Sequence, residues 1–72
     1  MAGSHDAWVG TARVNPEAEK KTPVGLGRAI ANAAAKAGDV TANRGRWYSV
    51  SRIEVKVGNP GPTSYRVIIT RI

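Results

Sequence analysis

The chain has 72 residues, with eleven Lys or Arg against five Asp or Glu, a net charge of +6, one histidine and no cysteine. That length makes one domain with a marginal core, and the composition excludes disulfides, thiolate zinc sites and a cysteine nucleophile. Self-association is left as the expected source of added stability, and the positive balance favours anionic partners: nucleic acid, phosphorylated cofactors or acidic surfaces.

Residues 7–14, "AWVGTARV", read as a strand rich in extended formers, with Trp8, Gly10, Ala12 and Val14 on one weakly apolar face. Residues 15–22, "NPEAEKKT", read as a polar connection opened by an Asn-Pro turn, with Glu17 and Glu19 as solvated charges. Thr22 is the candidate helix cap and Pro23 the first helical residue. Residues 23–37 then read as a helix. Leu26, Ile30, Ala33, Ala34 and Ala37 form its apolar stripe, and Arg28, Asn32 and Lys36 oppose them. Gly38 is the stop signal, and Gly25 and Gly27 suit close approach to a sheet. Asn43 and Gly45 mark the turn that follows.

Residues 46–57, "RWYSVSRIEVKV", read as one long strand, residues 58–64 as a turn, and residues 65–72 as a final strand. Twelve residues extended reach about 40 Å, so this strand must bend, bulge or outrun the helix. Continuous alternation places Tyr48 and Val50 on one side and Trp47, Ile53, Val55 and Val57 on the other. One helix covers one face, so the second apolar face calls for a partner subunit or a ligand. The fold class is therefore α+β in the order β-α-β-β, a single domain over residues 1–72 with residues 1–6 expected to be flexible.

Catalysis has little support. His5 reads as a solvated terminal residue, the carboxylates are scattered, and no nucleophile has a base beside it, so a non-enzymatic role is expected. With no apolar signal region and no spanning run, a cytoplasmic location without membrane contact is expected. The informative residue is Trp47, whose same-parity neighbours Ser49 and Ser51 are small and leave room above its ring. It is either a core or interface residue or a platform for a flat ligand. Arg46, Arg52 and Lys56 share one strand parity and form a candidate basic stripe for nucleic acid, against the plain alternative of a solvated strand edge.

Three short motifs, in order and spacing, resemble the dodecins. They are "AIANA" at Ala29–Ala33, "RWYSV" at Arg46–Val50 and "YRVIITRI" at Tyr65–Ile72, and the resemblance covers roughly residues 7–72. It implies a three-stranded antiparallel sheet curled around one helix, a dodecameric shell, and storage of a flavin such as FMN between subunits. Trp47 would stack on the ring, with Arg46 or Arg66 meeting ring-edge oxygens or phosphate. Arg66 stands where the family carries a glutamine, the family's R-G-H segment and glycine-aromatic tail are not found, and this chain is basic where dodecins are often acidic. Arginine only donates hydrogen bonds, whereas glutamine also accepts. A small basic nucleic-acid-binding protein and an assembly unit without ligand are the alternative expectations.

Overall fold

Asn15 ends the first strand and starts a helix. Its side-chain oxygen accepts from the amides of Glu17 at 2.9 Å and Ala18 at 3.4 Å, and Pro16 occupies the first helical position. Acidic residues fill the first turn and Lys20 and Lys21 the last, as the helix dipole favours. The stretch expected to be a loop is thus a short helix, and its lack of an apolar stripe hid it from the periodicity argument.

The computed structural model describes residues 6–72. The expectation of a flexible terminus falls almost entirely on residues 1–5, which lie outside the described residues. The elements are β1 (Ala7–Arg13), α1 (Pro16–Lys21), α2 (Gly25–Gly38), β2 (Tyr48–Val57) and β3 (Pro62–Arg71). The strands form one antiparallel sheet in the order β1-β3-β2. This is the expected β-α-β-β arrangement with an added helix before the main one.

The helix α2 packs on β1 and β3. Its buried residues are Gly25, Ala29, Ala33 and Ala37, with Leu26 and Ile30 half-buried beside them and Ala34 exposed. The buried stripe is therefore rotated from the expected one toward the smallest side chains. Gly10 explains the rotation. A Cβ there would collide with the Ala29 carbonyl oxygen and the Ala33 amide, so the helix backbone rests on the strand backbone. Val67 is fully buried under the helix, with Ala12 and Ile69 on either side.

The opposing polar stripe is structural as well. Asn32 Nδ2 donates to the Thr11 carbonyl at 2.7 Å, and Lys36 Nζ donates to the Val9 carbonyl at 2.8 Å. These bonds cover the outer edge of β1, which would otherwise present unpaired carbonyls.

The start of α2 is also corrected. Thr22 closes α1, and Val24 caps α2 with no side-chain bond of its own. The carboxylate of Glu19, expected to be solvated, is buried and accepts from the amides of Val24 at 3.2 Å and Gly25 at 3.0 Å. It supplies from the preceding helix the cap that Thr22 does not. Gly25 admits the Tyr65 ring, which lies 2.6 Å from where its Cβ would be, whereas Gly27 faces open space.

The long strand does bulge. Val50 pairs with Ile69 and Arg52 with Ile68, leaving Ser51 unpaired. Opposed residues share a face, so the bulge moves Ile53 and Val55, opposite Val67 and Tyr65, to the same helix-facing side as Tyr48 and Val50. Among the described residues the outer face of the sheet keeps only Val9 and Ile68 as sizeable apolar residues, opposite each other. The idea of two apolar faces is thus corrected. The uncovered apolar surface is the helix-side strip of β2, which α2 does not reach. At about 21 Å, a 14-residue helix is also much shorter than the 40 Å long dimension of the fold.

Two predictions follow from the packing and the cap. Gly10→Ala should lower unfolding stability by at least about 2 kcal/mol through backbone collision, while Gly27→Ala should raise it by ~0.5–1 kcal/mol. Urea midpoints of the two variants measure both signs. Burial opposes ionisation of Glu19, but the Tyr65 hydroxyl, the Gly25 and Val24 amides and the Arg28 charge together hold its pKa below the ordinary carboxylate value. A depressed carboxylate stabilises the fold above its unfolded pKa of about 4.3, and that contribution is lost as pH falls through the lower folded value. Thermal melts should therefore show Glu19→Gln less stable than the parent at pH 7, with a shallower decline between pH 5 and pH 3.

Candidate ligand-binding site

The turn carrying Trp47 is assembled from backbone carbonyls at the end of α2. Asn43 is buried, and its Nδ2 donates to the Ala37 carbonyl at 2.9 Å. Arg44 Nε donates to the Gly38 carbonyl at 2.9 Å, and Arg46 Nε to the Ala42 carbonyl at 3.1 Å. Cations at a helix C-terminus match its dipole. Gly45, at φ 76°, turns the chain into β2 in a conformation other residues rarely adopt.

Tyr48 locks this turn to the sheet. Its hydroxyl donates to the Asn43 carbonyl at 2.9 Å, and its ring meets that of Trp8 edge-on at 5.6 Å. Tyr48 is half-buried against the core, in keeping with its strand parity. Asn43 also accepts from Arg71 at 3.4 Å and so joins helix, turn and sheet. The sequence marked it only as a turn residue. Its position just past a helix end was the available signal for a capping role.

Trp47 lies one residue before β2. Its carbonyl accepts from the Ile72 amide at 3.2 Å, which holds its backbone, while the residue is 84% exposed. Ile72 is similarly exposed. A large aromatic ring is thus presented to solvent from a hydrogen-bonded support.

Arg66 lies elsewhere. It sits on the outer face of β3, opposite Glu54 of β2 and Thr11 of β1. Its guanidinium binds the Glu54 carboxylate directly, and Arg52 approaches the same carboxylate at 3.7 Å. The Arg66 hydrogen bond holds Glu54 below the usual carboxylate range and raises the pKa of Arg66 in turn. The three charges leave one net positive. Glu54 and Arg66 border a depression of about 460 Å³, lined also by Thr11, Arg13, Lys56 and Ser64.

Along β2, seven positions separate Trp47 from Glu54, the partner of Arg66, which is roughly 20 Å. Arg46 adjoins Trp47 along the chain, with its Nε held by the Ala42 carbonyl, and Arg66 is remote from both. The basic stripe is corrected too. Arg46 precedes the strand and is bound to the turn, and the bulge at Ser51 shifts Arg52 and Lys56 out of line with it. Arg52 and Lys56 instead share the outer face with Arg13 and Arg66.

Among the described residues no group of His, Cys, Asp or Glu is placed to hold a metal ion, and no helix is long and apolar enough to cross a membrane. In comparisons with known proteins, no family model matches the chain, and neither does any curated protein or solved structure.

Proposed function

We propose that the chain is a non-enzymatic, dodecin-like homo-oligomer that binds or stores a flat anionic ligand such as a flavin nucleotide between its subunits. The observation that carries this reading is Trp47, 84% exposed on a hydrogen-bonded backbone in a protein with only two tryptophans. An exposed aromatic face on a hydrogen-bonded turn suits stacking by a planar group. Arg46 beside it carries the positive charge for a phosphate. Because Arg66 is roughly 20 Å away along the sheet, a ligand touching both Trp47 and Arg66 must lie between two subunits.

Titration with flavin mononucleotide tests this. Flavin fluorescence should be quenched as protein is added, and Trp47→Ala should weaken the apparent affinity at least tenfold. Absence of quenching at several hundred micromolar protein, or equal quenching by the variant, would remove the flavin reading.

The outer face supports a second reading. It sets Arg13, Arg52, Lys56 and Arg66 against Glu54 alone, a surface suited to the phosphates of a single-stranded nucleic acid. An oligonucleotide gel shift should then weaken steeply with salt, and Arg13→Ala with Lys56→Ala should flatten that dependence. No shift at low salt would dismiss it.

A further inference from the structure

The two edges of the sheet are treated differently. The outer edge of β1 is covered by Asn32 and Lys36. At the other edge lies β2, whose pairing among the described residues is to β3 alone. Edge strands left bare are templates for another strand. On the helix-facing side this edge also carries exposed apolar residues: Ile53 at 56%, Val55 at 50% and Val57 at 77% exposure. The α2 side chains nearest this strip are Leu26 and Ile30, because Asn32 and Lys36 turn the opposite flank of the helix toward β1.

We propose that β2 pairs antiparallel, edge to edge, with β2 of a second copy, in the register centred on Val55. The inference rests on the homo-oligomer reading above and specifies where the subunits meet. Two-fold pairing of identical strands sets residue i opposite residue j with a constant sum, and matching of the sheet faces allows only centres on a residue. Centring on Val55 sets Val55 opposite its own copy and Ile53 opposite Val57 of the second copy. On the outer face it sets Glu54 opposite Lys56 of the second copy, twice by symmetry. Lys56 makes no ion pair among the described residues and is available for this contact.

The neighbouring registers are worse. A centre on Glu54 opposes Glu54 to itself and Arg52 to Lys56. A centre on Lys56 opposes Lys56 to itself. A centre on Ile53 sets Arg52 opposite Glu54, a favourable pair, but it sets Val55 against Ser51 in the bulge, where regular pairing ends. Like charges directly opposite destabilise a pair, whereas opposite charges and branched apolar pairs stabilise it. The segment is also suitably delimited. The bulge at Ser51 ends regular pairing on one side and the turn after Val57 ends it on the other. The second register shift falls on β3, where Thr63 is skipped, so Ile53–Val57 remains an uninterrupted edge. The product is a continuous six-stranded sheet with both copies of α2 on the same side.

The chain has no cysteine, so single thiols report the register directly. Opposed Cα atoms in an antiparallel pair are about 4.5–5.5 Å apart, within disulfide range. Val55→Cys should form a covalent dimer under mild oxidation. Ile53→Cys and Val57→Cys should each fail alone, because like positions are then roughly 14 Å apart, and should cross-link when mixed. Lys56→Glu, which sets Glu against Glu54 without touching the Arg66 pair, should raise the dimer dissociation constant at least tenfold at low salt. Light scattering on the parent accompanies these assays. An oligomer in which Val55→Cys does not cross-link, or in which Lys56→Glu changes nothing, overturns the β2 pairing and leaves the oligomer reading standing. Equal self-cross-linking of Ile53→Cys overturns the register. A monomer at all concentrations overturns both readings and assigns the edge to a different partner.

Discussion

The backbone of α2 lies on Gly10, and the other contacts of the fold are arranged around that approach. A helix this close to a strand presents only small residues, so Ala29, Ala33 and Ala37 carry the buried stripe and the larger Leu26 and Ile30 are set to one flank. The same closeness brings Asn32 and Lys36 over the outer edge of β1, where they take its free carbonyls. It also draws the helix over β1 and β3, leaving β2 to project past it. A core built largely of alanine buries little apolar area, and hydrophobic stabilisation scales with that area. A chain of this size is thus short of core exactly where β2 has apolar surface to spare.

The bulge at Ser51 converts that shortage into a defined surface. Strict alternation over the whole strand would send Ile53, Val55 and Val57 to the outer face, among the arginines. One unpaired residue returns them to the helix side and leaves Arg52, Glu54 and Lys56 outside. The two faces of β2 are consequently sorted by chemistry, apolar on one side and charged on the other. The charge on the outer face is tempered by Glu54, which holds Arg66 and attracts Arg52, so the Arg66 guanidinium is already engaged within the chain.

Trp47 and the strip on β2 occupy different parts of the surface and are exposed for different reasons. The turn below Trp47 is fastened by Asn43, Arg44, Arg46 and Tyr48, so the ring is exposed on a fixed base. The strip is exposed because the helix stops short of it. In the proposed assembly the first would offer a surface to a ligand and the second a seam between copies.

Local periodicity and length were enough for the strand around Trp8, the alanine-rich helix, the closing hairpin and a long strand that must bend, bulge or outrun the helix, since these follow from spacing along the chain. That Tyr48 and Trp47 point to opposite faces likewise follows from the alternation of a strand, whereas which of them meets the core was settled only by packing. The register, the position of the bulge and the burial of Glu19 depend on which backbone groups meet across the fold, and spacing carries no record of that. The helix over Pro16–Lys21 was written in its cap and its charges, but it has no apolar stripe by which to recognise it. The pairing of Arg66 with Glu54, and its separation from Trp47, arose only when two strands came into register, because ion pairs and distances between strands are properties of the packed sheet.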